Sequence, residues 1–563
     1  MGMDAPHPHV RRHFVTLGNR QVHYRRAGNG PPAVLLHQSP SSSRDNVPLM
    51  ERLMADFTVI APDTPGNGLS DPLALDRPLA EDYARALAEF LDAVGIQKAP
   101  VFGTHTGGVT ASEFARLFPQ RVSALVVDGV TCWTEAERKD ILAHYLEPIA
   151  ISWDGSHLSK VWARFRQQST FFPWYKTSKD TRLDYDLVSP ERMMPAVLDF
   201  LRSGNNYIKP YQAAFIYDGA AAIPPITVPT FLLALDSDVL FPHFDRLPKL
   251  AGNFRVERFG RDKKQLHARV QAIFRDHVVA ATVPPPPRVA DMPGRTVQDY
   301  ADVQGGQLHM RRSFAASGRP VLVQHDAASD NNVVRAAAES FVGKRPVIAF
   351  DLPGNGESDN TIGSDNITCT TYAEVTRQAL AGMGIKEVDY VGTWGSGFTG
   401  LELAKLQTGL VRHLAITHVI WHPEALRQEL IANYTPDLDY SRFGGHMVFV
   451  WHAMRDQGLW WPWYNNTKEG VLPREPYVDP QMIHRRAVSL LKCGNMWSRH
   501  YGAHWRYEIQ DELPKAPVPV ALAAPADHPG TAAALKVAPN ARHVVITNAM
   551  DRWADDLLPF LNS

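Results

Sequence analysis

One histidine in this chain stands where a fold offers up a side chain for chemistry. His105 lies at the centre of VFGTHTGG (Val101–Gly108). There an apolar stretch ends, glycines bracket a tight turn, and a helix-like run, VTASEFARLF, begins. An imidazole with its ordinary pKa near 6.5 can take or give a proton near neutral pH, which suits it to general-base work. The junction recurs 289 positions later as GTWGSG, from Gly392, with Trp394 at its tip. An indole N–H only donates. Trp394 can neither attack nor accept a proton, so its bulk is expected to fill a pocket mouth or stack on a ligand.

The recurrence is general. DTPGNGLSD at Asp63–Asp71 returns as DLPGNGESD at Asp351–Asp359, 288 positions on. FFPWYKTSKD at Phe171 returns as WWPWYNNTKE at Trp460, 289 positions on. LRSGNNYIKPY at Leu201 returns as LKCGNMWSRHY at Leu491, 290 positions on. A near-constant offset of this size is duplication of a whole domain, far longer than a solenoid repeat. With 563 residues the chain also exceeds what one core holds. The seam is VPPPPRVADMPG (residues 283–294), whose prolines favour an extended, semi-rigid spacer. The expected domains are residues 10–282 and 295–563, with residues 283–294 as linker.

Each copy alternates strands and helices. AVLLHQ and FTVIAPD are short apolar runs ending in turn residues. AEDYARALAEFLDAVG has helical apolar spacing and closes on glycine. APVFG, SALVVDG, VPTFLLALDSD and FRVERFG continue the strand series. The second copy answers with RPVLVQH, RPVIAFD, VDYVG, LAITHV and VPVALAAP. This alternation predicts an α/β class with a mostly parallel sheet covered by helices.

Composition narrows the partners. Lys and Arg number 58 against 59 Asp and Glu, which gives no electrostatic footprint for nucleic acid or an anionic membrane. The three cysteines, Cys132, Cys369 and Cys493, are distant and odd in number, an argument for a reducing compartment over a disulfide framework. No CxxC or HExxH spacing suggests a metal, no stretch has the length of a membrane span, and the first residues lack an apolar signal core. The expectation is a cytoplasmic protein without metal or other cofactor. The tandem arrangement would let the halves pack as an intramolecular pseudo-dimer, and homo-oligomers stay open.

Taken in order, HQSPSSS after a strand, DTPGNGLSD, the elbow GTHTGG, a long insertion and then LDSDVLFP resemble an α/β-hydrolase, twice over and across nearly the whole chain. The elbow glycines fit that family because the tip is strained and strand and helix pass closely. The resemblance implies a nucleophile at the tip, an acid after a late strand and a histidine after the last strand. It puts the acid at Asp238 in the first copy and Asp527 in the second. It also implies an oxyanion pocket built from the amides of Thr106 and Ser39, with Gln38 replacing a common glycine.

Two of the three catalytic groups depart from the pattern. Neither tip is serine, and Ser396 stands two residues off, flanked by Trp394 and Phe398. The window 261–265 holds no histidine, His267 falls where a helix should begin, and VVITNAMDRW has none. A histidine on the elbow would be long enough to reach Asp238 across the space left by the missing one, collapsing a triad to a dyad.

The insertions, at about residues 133–222 and 422–512, are expected as caps. His157 and Arg166 are ligand candidates there, with His446 and Arg455 as their counterparts, while Trp174 and Tyr211 mark aromatic walls suited to a small apolar or aromatic substrate. Three functions follow. The first is a cofactor-independent hydrolase using His105 and Asp238 with a degenerate second copy. The second is a lyase or cofactor-free oxygenase abstracting a proton in the same pocket. The third is a non-catalytic ligand-binding protein.

Overall fold

The computed structural model describes residues 9–563. It contains two eight-stranded sheets. The first is built from β1 (Val10–Leu17), β2 (Arg20–Ala27), β3 (Pro32–Leu36), β4 (Thr58–Pro62), β5 (Ala99–Thr104), β6 (Val122–Asp128), β7 (Thr230–Leu235) and β8 (Phe254–Phe259). Its order is β1-β2-β4-β3-β5-β6-β7-β8. β1, β2 and β4 pair antiparallel, and every pairing from β4–β3 onward is parallel.

The second sheet holds β9 (Val297–Val303), β10 (Gly306–Ser313), β11 (Val321–Gln324), β12 (Val347–Phe350), β13 (Val388–Thr393), β14 (Val411–Thr417), β15 (Val520–Ala524) and β16 (Arg542–Val545). Read from β9, its order is β9-β10-β12-β11-β13-β14-β15-β16, the same topology. Two tandem α/β-hydrolase folds account for both sheets.

The strand period places the two helical layers. Along β3, Val34 and Leu36 face a core with Leu87, Phe90 and Leu91 of helix Ala80–Ala93 and Phe114 of helix Thr106–Leu117. The alternate residues Ala33 and Leu35 face Leu53 of helix Val47–Leu53 and Leu266, Val270 and Phe274 of helix Lys263–Asp276. A strand buried on both faces reads as an unbroken apolar run, which is what PAVLL is. The second copy repeats the sandwich, with Leu322 on one side of β11 and Val321 and Val323 on the other.

Both leading hairpins escaped the strand–helix reading, because β1–β2 and β9–β10 pair antiparallel with no helix between them, leaving β1 and β9 at the sheet edges. Their signal was local: β1 and β2 are joined by Gly18-Asn19, with Gly18 at φ 60°, a two-residue hairpin turn.

By packing, the chain divides into two units. One comprises His9–Ala150 and Ser159–Val289, and the other includes Ile151–Leu158 with Ala290–Ser563. Among the described residues no helix is long and apolar enough to cross a membrane.

Candidate active site

The first copy gathers its polar groups at the C-terminal ends of the parallel strands, where open α/β sheets place ligands. His105 follows β5 and caps helix Thr106–Leu117 with φ 48° and ψ −110°. That is a strained conformation for a side-chain-bearing residue, of the kind that persists where its surroundings impose it. The crowding is measurable: a Cβ on Gly103 would stand 2.3 Å from the Gly107 carbonyl oxygen. The main chain of the tip is fixed by its N–H, which donates to the Asp128 carbonyl at 3.0 Å.

His105 Nε2 lies 2.8 Å from Asp238 Oδ2. The imidazole is 25% exposed and the carboxylate 11%. Burial alone would lower the imidazole pKa. The Asp238 charge and hydrogen bond, with Asp128 behind them, outweigh it and raise the pKa above its ordinary value. Asp238 moves the opposite way: desolvation opposes ionisation, and the charge and hydrogen bond of His105, the Leu240 amide and Lys263 overcome it. With Asp238 ionised, Nε2 must donate, which leaves the basic lone pair on Nδ1.

Room for the ring comes from Gly129, at φ 80°. A Cβ there would meet His105 Cδ2 at 2.4 Å and Asp238 Oδ2 at 3.4 Å.

The oxyanion pocket differs from expectation. The Ser39 amide donates to Thr106 Oγ1 at 2.6 Å, and the threonine hydroxyl in turn donates to Ser39 Oγ at 3.1 Å. Ser39 therefore does not offer its amide to a ligand, because the side chain following the tip reaches back and occupies it. Gln38 turns its amide toward Asp45, 3.5 Å away, and lends its carbonyl to His37 Nδ1 at 2.8 Å.

Lys263 stands in the 261–265 window, where the family pattern has a histidine. It opens the last helix, and its charge acts on His105, Asp128 and Asp238 together. His267 lies a turn deeper in that helix, half-buried, with its pKa pushed down to about 4 by burial and by Lys263 and Arg52.

The cap residues divide. His157 is not a pocket residue: its Nδ1 faces Ser152, its Nε2 lies 3.0 Å from His484 Nδ1, and burial takes its pKa to about 4. It falls in the short segment that packs with the second sheet's unit. Arg166 is half-buried, and the arginine that organises the cap is Arg164. Arg164 donates to Tyr207 Oη at 2.8 Å and lies over the rings of Phe200, Tyr207 and Trp174. Trp174 donates to the Tyr145 carbonyl, and Tyr211 stacks on Phe215 with centroids 5.4 Å apart. Both are packing residues of an aromatic cap core.

The second copy keeps the elbow backbone, with Trp394 at φ 54°. Trp394 is 45% exposed and stacks on His418, which occupies the position answering to Gly129. His528 meets His418 edge-on, with ring centroids 5.6 Å apart, and Asp527 is exposed. Ser396 is fully buried and donates to the Gln324 and Thr393 carbonyls, so it is no nucleophile. His446 is buried against Tyr440, and Arg455 pairs with the adjacent Asp456. Among the described residues no three His, Cys, Asp or Glu side chains converge in a way that could hold a metal ion.

A family model described as alpha/beta hydrolase fold matches residues 31–268. An uncharacterized protein of Mycobacterium tuberculosis is 38% identical over 124 residues, 21% of this chain and 36% of that protein. The 2-hydroxy-6-oxo-6-phenylhexa-2,4-dienoate hydrolase of Comamonas testosteroni is 31% identical over 120 residues, 20% of this chain and 41% of the enzyme. The chain thus spans less than half the length of these relatives. Epoxide Hydrolase A from Mycobacterium thermoresistibile superposes with TM-score 0.38 and 19% identity, over 48% of this chain and all of that one. With a family match over β3 to β8 of the first sheet and the same strand order in the second, the chain is a tandem duplication of the alpha/beta-hydrolase fold.

Proposed function

We propose that the first copy is a cofactor-independent hydrolase whose base is His105, oriented by Asp238, acting on a small apolar or aromatic substrate, and that the second copy is catalytically degenerate. The observation that carries this reading is the 2.8 Å contact between His105 Nε2 and Asp238 Oδ2 on a strained elbow. Asp238 holds the ring with Nδ1 unprotonated and stabilises the imidazolium that forms when Nδ1 takes a proton from water. The hydroxide adds to a carbonyl carbon as the C=O π pair moves onto oxygen; collapse of that adduct breaks the bond to the leaving group, which takes the proton back from Nδ1. The oxyanion would be met by the Thr106 amide, which opens a helix and has no helical acceptor. The relative named as a hydrolase of a dienoate supports hydrolysis as the reaction class.

One observation favours a second reading. The Ser39 amide is taken by Thr106 Oγ1, so half the expected oxyanion pocket is filled. Abstraction of a substrate proton by the same imidazole needs less of that pocket, as in a lyase or cofactor-free oxygenase.

The test is His105→Ala on an aryl ester and an aryl 1,3-diketone, with product formation followed in H₂¹⁸O. General-base hydrolysis predicts ¹⁸O in the product and a loss of about 10²–10⁴-fold in turnover for the variant. Undiminished turnover refutes the base. Product without ¹⁸O selects proton abstraction. Binding of either compound without turnover by the native chain would make this a ligand-binding protein.

A further inference from the structure

A carboxylate outside the His105–Asp238 pair stands behind the elbow. Asp128 ends β6 and is 3% exposed, and its Oδ1 meets no hydrogen-bond donor of the chain. A buried carboxylate without a partner is costly, and such groups concentrate where they act on a neighbour. Its backbone carbonyl already holds the His105 N–H, and the next residue, Gly129, is the one whose missing Cβ admits the His105 ring.

We infer that Asp128 is a positioning residue: with Asp238 it forms a two-carboxylate clamp that sets the charge on His105. Three charged groups face Asp128: Asp238 from the loop after β7, His105 from the elbow, and Lys263 from the start of the last helix. Burial and the Asp238 charge raise Asp128 to about 6, with His105 and Lys263 opposing. Above that pH both carboxylates are negative and favour the imidazolium; below it Asp128 is neutral and its hold is released. The second copy keeps one arm, the exposed Asp527, and lacks the other together with the imidazole it would act on. Thr417 stands for Asp128, His418 for Gly129 and Trp394 for His105. A tip that cannot titrate sits beside a strand end that carries no charge.

The catalytic consequence rests on the reading of His105 as the base, but the clamp itself can be read without turnover. The experiment follows the His105 Cε1–H resonance of the full chain by NMR across pH 5–9, assigned by its loss in His105→Ala. Asp128→Asn removes a negative charge from the imidazolium at nearly constant shape, so the His105 midpoint should fall by on the order of one pH unit. Asp128→Thr, the residue the second copy carries, should do the same and serves if the amide variant fails to fold. A midpoint that stays or rises in a folded variant overturns the clamp, since a merely structural carboxyl would change stability and leave the midpoint alone. If the chain turns over substrate, the rising limb of kcat/KM moves to lower pH with the midpoint. If His105→Ala keeps full turnover while Asp128→Asn still shifts the midpoint, the clamp stands and the proposed function falls.

Discussion

The two elbows of this chain share a backbone and differ in nearly every group that could do chemistry. His105 and Trp394 both hold left-handed φ, 48° and 54°, at the end of the same strand in the same sheet order. Behind the first tip a glycine leaves room for an imidazole to meet a buried carboxylate. Behind the second, His418 fills that room and stacks on the indole.

The parts both copies keep are those that close the fold. His23 Nδ1 meets Asp63 at 2.8 Å, and His309 Nδ1 meets Asp351 at 2.8 Å. His37 Nε2 accepts the Thr64 amide at 2.9 Å, and His325 Nε2 accepts the Leu352 amide at 2.9 Å. Buried polar groups of this kind must be satisfied in any copy that folds. The elbow side chain carries no such obligation, so one scaffold can present an imidazole at one tip and an indole at the other.

The largest break in that difference is Gly129→His, which installs the second copy's residue in the first. Its Cβ would collide with the His105 ring, and the φ of 80° disfavours any side chain. Turnover should vanish, and thermal unfolding should show a loss of about 1–3 kcal/mol. Asp238→Asn is next. It keeps the shape and removes the charge, so the His105 pKa falls, with Asp128 left to oppose burial, and the ring loses its orienting anion. kcat/KM should fall by about 10²-fold or more, while the same change at exposed Asp527 should leave it unaltered. Trp394→Ala should leave kcat/KM within twofold and stability within about 1 kcal/mol, because the indole is nearly half exposed.

Acid should weaken both copies, more gently. Burial takes His243 in the first and His418 in the second down to about 4. The unfolded chain binds those protons nearer pH 6.5. The stability these neutral histidines contribute is therefore complete above about pH 6.5 and is lost as pH falls toward 4. A melting temperature that declines over that window checks it.

Much of this was legible in the sequence. PAVLL, TVIAP and VSALVVD are apolar runs of strand length, and the elbow's glycines mark a junction whose crowding the structure measures directly. What stayed hidden has physical reasons. Asp128 reads as the turn residue that ends a strand, and its neighbours lie 23 positions back at His105 and 110 ahead at Asp238. Lys263 reads as an ordinary charged residue in the first turn of a helix, and only the fold brings its charge to Asp128 and Asp238. Helical spacing puts Arg166 on the cap helix as a ligand candidate but gives no sign that Arg164, two residues back, turns inward onto Tyr207, or that His157 packs with the second sheet's unit. The antiparallel hairpins join strand to strand with no helix between, outside the strand–helix rhythm.

The central claim is that proton handling belongs to one elbow and not the other. The direct measurement is kcat/KM for His105→Ala and Trp394→Ala side by side, on the same ester and diketone, with folding checked by thermal unfolding. The account predicts a loss of about 10²–10⁴-fold for the first and near-native turnover for the second. Equal turnover in both variants, or a loss confined to Trp394→Ala, would contradict it.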